Sequence, residues 1–223
     1  MKKVLQFIIV AIMLIVAITG CKKEPVTEKT PEPTVVNPEP GPLVIDISEA
    51  LTCGGYEDLA ILKIFNHRCN MHCPPNECHC LLVASEVAQN GYKITLPNPE
   101  TVLDTLMHLK YFFYQFNCSN PNTKFADIGS GPIPCDSLGR QLGGCEFLSE
   151  RPEQWSATYL YVDRDCNVTG TLVYGSWTVS ANCKFKKGWN IYYHICDSEK
   201  EIELTTTEKP AGKTFHWSMW RYA

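Results

Sequence analysis

Cysteine is the residue that most constrains the fold of this chain. The 223-residue sequence contains 12 cysteines, and the segment 69–80 holds four of them together with two histidines. A cluster of this kind either binds a metal ion or carries disulfides, and the compartment in which the chain resides decides between the two interpretations. The N-terminal residues therefore have to be interpreted first.

Residues 1–20 have the pattern of a bacterial lipoprotein signal peptide. Two lysines precede an apolar run that ends at Ile18 and is too short for a comfortable membrane span of about 20 residues. The tetrapeptide Ile18-Thr-Gly-Cys21 resembles a lipobox, in which cleavage precedes a cysteine that then carries lipid. We predict lipidation at Cys21, with an uncleaved signal anchor as the alternative.

A proline-rich linker follows Cys21. Residues 22–42 contain six prolines and no aromatic residue, a composition that cannot bury enough apolar surface to fold. Extended at about 3.1 Å per residue, this segment reaches roughly 60 Å from a membrane. We predict three parts: a signal peptide over 1–20, a lipidated linker over 21–42, and a β-rich domain over 43–223 with a sub-boundary near 117–155. The long tether favours the outer membrane and its cell-surface face.

The charge pattern bears on the partners of the chain. The formal net charge of −4 becomes −6 when the signal peptide removes two lysines. The largest basic cluster in the remaining chain is Lys184 with Lys186 and Lys187. This pattern argues against nucleic acid as a partner. The predicted partners are the membrane, which the chain contacts through its lipid anchor, and a glycan or a surface protein.

An exported chain meets oxidising conditions, so the cysteines are predicted to form disulfides. A zinc site would occupy four ligands of the 67–80 cluster and leave seven cysteines elsewhere unexplained. Zinc remains the alternative, although Cys69 to Cys80 lack the long spacer between ligand pairs that zinc motifs usually have. The disulfide candidates, one of which is left over as an odd thiol, are Cys53, Cys69, Cys73, Cys78, Cys80, Cys118, Cys135, Cys145, Cys166, Cys183 and Cys196.

One disulfide can be derived from strand register. The segments 168–173 and 177–183 are two strand candidates around Tyr174-Gly-Ser176. With a turn at residues 174–175, Cys166 lies directly opposite Cys183; with a turn at 175–176, the two are diagonal on the same face. We predict a Cys166–Cys183 disulfide.

The pattern of short apolar segments predicts an all-β fold, an antiparallel sandwich of one or two small units with at most one short helix. Asn90-Gly91 predicts a hairpin between strands at 81–85 and 92–97. The spacing over 101–109 predicts the helix, and 111–116 is strand-like. Further strands are predicted at 157–163, 167–174, 177–183, 189–196, 202–206 and 214–222.

Several segments of the domain stand out together: Ala157–Gly170, Lys186-Lys-Gly-Trp-Asn190, Thr205-Thr-Thr207 with Lys209-Pro210 and Trp217, and Tyr92-Lys-Ile-Thr-Leu-Pro97. They resemble a family of uncharacterised lipoproteins from Gram-negative gut anaerobes. The resemblance implies an exported β-rich protein and carries over no catalytic residue. The many cysteines of this chain depart from the family pattern.

No catalytic motif is recognisable: Gly-x-Ser-x-Gly and His-Glu-x-x-His are both absent from the sequence. We expect neither an enzyme nor a cofactor site. The leading hypothesis is a surface binding module for a glycan or a protein, with Trp177 and Trp217 as ligand-contact candidates; core packing is the ordinary alternative for these rings. The second hypothesis is a metal-binding protein or a thiol-dependent enzyme that uses the 67–80 cluster.

Overall fold

The computed structural model describes residues 43–53, 57–66, 81–103, 106–129 and 131–222. Within these ranges β-structure dominates. The strands are β1 (Leu43–Asp46), β2 (Ile61–Phe65), β3 (Leu81–Glu86), β4 (Lys93–Leu96), β5 (Met107–His108), β6 (Asn117–Cys118), β7 (Lys124–Asp127), β8 (Ile133–Cys135), β9 (Gly143–Ser149), β10 (Ser156–Val162), β11 (Cys166–Tyr174), β12 (Trp177–Phe185), β13 (Gly188–Asp197), β14 (Ile202–Thr206) and β15 (Phe215–Arg221).

The helices in the described residues are short. A 3₁₀ helix covers Ser48–Cys53, and three α-helices of four residues each are α1 (Val87–Asn90), α2 (Pro99–Val102) and α3 (Leu109–Phe112). No helix of the described ranges is long and apolar enough to span a membrane.

A ten-stranded sheet forms most of the domain. Its main path runs β15-β9-β10-β13-β14-β12-β11-β6, and β7 joins through β10 while β5 joins through β7. The pairs are antiparallel except β12 with β14, which run parallel. This sheet curls into a half-barrel. Two smaller sheets lie outside it, β1 with β4 and β3-β2-β8.

Two apolar cores lie on opposite faces of β10. Tyr161 belongs to the first core, which includes Leu62 and Ile94 from the smaller sheets. Leu160 and Val162 belong to the second core, with the α3 residue Leu109. Successive residues of a strand point to opposite faces, so β10 contributes to both cores by alternation.

The all-β class and the six C-terminal strand predictions are confirmed. Each predicted segment between 157 and 222 coincides with one of β10 to β15. The large sheet curls rather than forming two clearly stacked layers, so the confirmed part of the fold prediction is the all-β class.

The hairpin predicted at Asn90-Gly91 is wrong. Strand β3 pairs with β2, and β4 pairs with β1, so the two flanking strands are not partners. Gly91 instead ends α1: its φ is +58°, and its N–H donates to the Val87 carbonyl at 2.9 Å. The same glycine conformation that suits a hairpin turn also terminates a helix.

The helix prediction is wrong in number and position. The described ranges hold three α-helices and a 3₁₀ helix instead of one. The 101–109 segment is divided between two cores, since Leu103 and Leu106 pack in the first and Leu109 in the second. The strand-like 111–116 segment begins inside α3.

Gly143 allows β9 and β15 to pair closely. A Cβ added there would lie 1.8 Å from the Trp220 carbonyl oxygen, which is backbone and cannot rotate away. We predict that Gly143→Ala lowers the free energy of unfolding by about 3 kcal/mol or more, because the strand pair must separate. Urea unfolding monitored by tryptophan fluorescence measures this change.

Gly212→Ala is the matched control. Gly212 has a φ of +71° and open space around its Cβ position, so only backbone strain of about 1–2 kcal/mol is expected. If the two substitutions destabilise the protein equally, close β9–β15 packing is not the reason for a glycine at 143.

Candidate functional site

A cleft opens where β10 exchanges one neighbouring strand for another. Strand β9 pairs with Ser156 and Ala157, and β7 pairs with residues 160–162 on the same edge. Thr158 lies between these two ladders. The gap forms a cleft of about 320 Å³ lined by Phe112, Asp127, Gly129, Glu146, Phe147, Leu148, Ser156, Ala157, Thr158 and Tyr192.

Strand register brings most of the polar side chains of the cleft to one face. Ser156 is opposite Leu148, so Glu146, two residues earlier on β9, shares its face. Leu160 is opposite Asp127, which places that carboxylate on the same face from β7. Three strands therefore direct Glu146, Asp127 and the hydroxyls of Ser156 and Thr158 towards one space.

Aromatic rings also line the cleft. Tyr192 on β13 is the register partner of Thr158. Its ring lies 6.4 Å from that of Phe112, centroid to centroid, at an interplanar angle of 70°. Phe112 also packs 5.4 Å from Phe125, whose side chain belongs to the second core. The core thus supports the rings from behind.

The two carboxylates of the cleft differ in their surroundings. Asp127 is 2% exposed, and its Oδ1 accepts the Gly129 N–H at 2.9 Å. The Asp127 N–H donates to Asn66 Oδ1 at 3.2 Å, which fixes the strand end. Glu146 is only half-buried on β9. Asp127 is therefore held in place, whereas Glu146 is open to solvent at the rim.

A half-buried acidic residue, Asp163, fastens the start of β7 to the end of β10. Asp163 Oδ1 accepts the Lys124 N–H at 2.8 Å, and the Arg164 guanidinium donates to the same carboxylate. Burial acts to raise the pKa of Asp163, but the hydrogen bonds from Arg164 and from the Lys124 N–H outweigh it and hold the pKa below its ordinary value.

Neither tryptophan selected from the sequence is part of the cleft lining. Trp217 is 7% exposed in the first core, and its ring stacks on Phe147 with centroids 4.8 Å apart and an interplanar angle of 24°. Trp177 is half-buried at the start of β12, opposite Tyr174. The cleft rings are Phe112, Phe147 and Tyr192 instead.

The register of β11 and β12 corrects the predicted Cys166–Cys183 disulfide. The turn is Gly175-Ser176, so Cys166 is opposite Phe185 and Cys183 is opposite Val168. The two cysteines are diagonal, and both are free thiols in the structure. The six cysteines with described side chains are all thiols: Cys118, Cys135, Cys145, Cys166, Cys183 and Cys196.

Burial makes two of these thiols unreactive, since it raises the pKa of both Cys145 and Cys183 to about 12.

The lipidation site Cys21 and the 67–80 cluster lie outside the described residues, as does the side chain of Cys53. The metal or thiol-enzyme hypothesis built on that cluster therefore stays a prediction from the sequence. Within the described ranges, no group of three or more His, Cys, Asp or Glu side chains is arranged to hold a metal ion.

Sequence reasoning missed the two carboxylates of the cleft. Asp127 and Glu146 belong to the segment 117–151, which is rich in glycine and has little periodicity. Neither residue is part of a motif, and their proximity results from two strands that pair with β10 at adjacent positions. Of the cleft rings, only Tyr192 lies on one of the six C-terminal strands predicted from the sequence.

Comparisons with protein-family models, with curated proteins and with solved structures find no match to this chain. The chemistry of the cleft lining is therefore the main indication of function in the described residues.

The Asp163 contacts predict a pH-dependent stability. Because its folded pKa is lowered, Asp163 stabilises the native state above the pKa of the unfolded chain, near 4, and that contribution disappears as pH falls through the folded value. We predict that Asp163→Asn costs about 1 kcal/mol at neutral pH and that the difference from the parent shrinks below about pH 4. Urea midpoints from pH 7 to pH 2.5 measure it. A difference that is constant over this range would contradict the role of the carboxylate.

Proposed function

We propose that this protein is a lipid-anchored surface binding protein whose cleft beside β10 receives a sugar residue of a glycan. The observation that carries the proposal is the cleft itself, a space of about 320 Å³ whose lining combines carboxylates and hydroxyls from three strands with aromatic rings. Small-molecule sites typically measure roughly 300–1,000 Å³ and combine apolar walls with a few placed polar groups.

The chemistry of the lining matches a sugar ring. Sugar hydroxyls donate hydrogen bonds, and the Asp127 and Glu146 carboxylates are acceptors that form stronger bonds than neutral groups. The C–H faces of the same sugar are apolar and pack against rings such as Phe112 and Tyr192. Both kinds of group are present within one cleft of this size.

The charge of the cleft narrows the ligand class. Its described lining contains two acidic side chains and no lysine or arginine. A phosphorylated, sulfated or carboxylated ligand would meet like charges there, which is unfavourable in a partly desolvated site. Neutral sugars and sugars with an amino group fit this lining best.

The remaining parts of the proposal rest on the sequence. Lipidation at Cys21 and the proline-rich 22–42 segment would display the domain away from the outer membrane, in keeping with the resemblance to lipoproteins of gut anaerobes. In this compartment we expect disulfides among the cysteines, including those of the 67–80 cluster.

The cleft is tested with Glu146→Gln, which keeps the shape of the side chain and removes its charge. We predict that retention of the full-length chain on a glycan array, for the glycan that the parent binds best, falls by about tenfold, because a charged hydrogen bond becomes a neutral one. Phe112→Ala should weaken binding to the same glycan through the lost ring contact.

Glu208→Gln is the control, since the Glu208 side chain is 69% exposed and pairs with Lys184 away from the cleft. It should bind the glycan like the parent. Absence of binding by the parent to any neutral or amino-sugar glycan, or equal binding by Glu146→Gln and Glu208→Gln, would contradict the proposal.

The anchor is tested with Cys21→Ser. We predict that this variant loses incorporation of a labelled fatty acid, since the thiol that would carry the acyl chain is absent. Cys196→Ser is the control, because Cys196 is an exposed cysteine on β13 and its loss should not affect labelling. Absence of fatty-acid label from the parent, or equal label in Cys21→Ser, would contradict lipidation at Cys21.

A further inference from the structure

Three cysteines surround Val168 in the second core. Val168 on β11 is opposite Cys118 of β6 on one side and opposite Cys183 of β12 on the other. Cys166 lies two residues before Val168, so its side chain is on the same face as both partners. Cys166 is therefore diagonal to two thiols, and register alone does not distinguish between them.

Atomic contacts place Cys166 closer to the β6 side. Its Sγ donates to the Asn120 carbonyl at 3.7 Å, and the Ser119 hydroxyl lies 4.0 Å from the same sulfur. The ladder continues past β6, since the Ser119 N–H donates to the Asn167 carbonyl at 2.9 Å and the Asn167 N–H donates to Ser119 Oγ at 2.9 Å. The chain that follows Cys118 thus lies directly against Cys166.

Electrostatics agree with the contacts. Burial raises the pKa of the Cys118 thiol, and the neighbouring Cys166 thiol raises it further. The pKa of the Cys183 thiol is raised by burial and lowered by a hydrogen bond with the Asn182 backbone. Cys166 does not influence the pKa of Cys183, in contrast to its effect on Cys118.

The two possible pairs, Cys118–Cys166 and Cys166–Cys183, also differ in how firmly the partner strand is held in the sheet. Diagonal cysteines have Cα atoms about 7–8 Å apart, and a disulfide needs about 4.4–6.8 Å, so closure requires a shift of roughly 1 Å. Strand β6 has two residues at the edge of the sheet, and a shift there disturbs two register pairs and the two hydrogen bonds between Ser119 and Asn167. Strand β12 is held to β11 by nine register pairs and to β14 on its other edge.

We propose that Cys118 and Cys166 are the pair that closes into a disulfide when the protein meets a small-molecule disulfide, and that this bond fastens the edge strand β6 to β11. Cys183 remains a buried thiol. The pairing does not depend on what the cleft binds.

The chemistry is two successive thiol–disulfide exchanges. The Cys118 thiolate, the more accessible of the two, attacks one sulfur of glutathione disulfide, whose S–S bond breaks and releases one glutathione thiolate. The Cys166 thiolate then attacks Cys118 Sγ in the mixed disulfide and displaces the second glutathione. Two cysteine thiols are oxidised, one glutathione disulfide is reduced to two glutathiones, and these take up the two protons.

The test is a disulfide map of the full-length chain. The protein is reduced without denaturant, freed of reductant, equilibrated with glutathione disulfide, alkylated, digested without reduction and analysed by mass spectrometry. We expect a linked peptide pair containing Cys118 and Cys166, loss of Cys118 alkylation, and Cys183 found alkylated once the protein is denatured.

Two variants complete the test. In Cys118→Ser, Cys166 should lose its partner and be recovered unlinked. In Cys183→Ala, the link between Cys118 and Cys166 should form as in the parent. Recovery of Cys166 linked to Cys183, of Cys118 linked to any other cysteine, or of both thiols alkylated after oxidation of the parent would overturn the proposal. The map of the parent decides the matter even if a variant fails to fold.

Discussion

The fold depends on the hydrogen-bonded and packing contacts of β10. One edge of this strand pairs with β13 over seven register positions, from Ser156 to Val162. Its alternating side chains enter two different cores, with Tyr161 on one side and Leu160 on the other. A strand that is buried on both faces has to be apolar on both, and the Tyr159-Leu-Tyr-Val162 sequence meets that condition.

The second edge of β10 explains why a cleft exists. A single long partner strand would have satisfied its N–H and C=O groups continuously, but β9 and β7 share the edge and separate at Thr158. Of the polar residues at this break, Ser156 begins β10 and Asp127 ends β7, while Glu146 lies in the middle of β9. Asp127 is 2% exposed, and the hydrogen bond that it accepts from the Gly129 N–H offsets part of the cost of burying it.

Secondary structure was predictable from the sequence in the C-terminal half of the chain, but less so before residue 110. Strands β10 to β15 follow from alternation and from the glycines between them, which are local signals. Their partners are only partly local: β11 with β12 and β13 with β14 are consecutive strands, whereas β10 pairs with β13, β15 pairs with β9, and β12 runs parallel to β14. Before residue 110, the same kind of reasoning failed at Asn90-Gly91 and over 101–109, where partner strands are distant in sequence and two cores compete for one apolar segment.

The candidate site shows the same division. Trp177 and Trp217 could be chosen from the sequence as candidates because tryptophan often contacts ligands. Whether a tryptophan is buried, however, depends on the assembled core, and Trp217 packs on Phe147 there. The proximity of Asp127 to Glu146 and of Cys118 to Cys166 arises from long-range register, with no trace in local spacing.

The amino-acid sequence by itself determined the all-β class, the strands of the C-terminal half, and the prediction of an exported, cysteine-rich chain, since alternation, turn residues and composition act locally. Only the tertiary structure decided which strands are neighbours, where their edges separate, and which side chains meet at that separation. The physical reason is that pairing between distant strands depends on the total burial and hydrogen bonding of the whole sheet, to which each local segment contributes only a part.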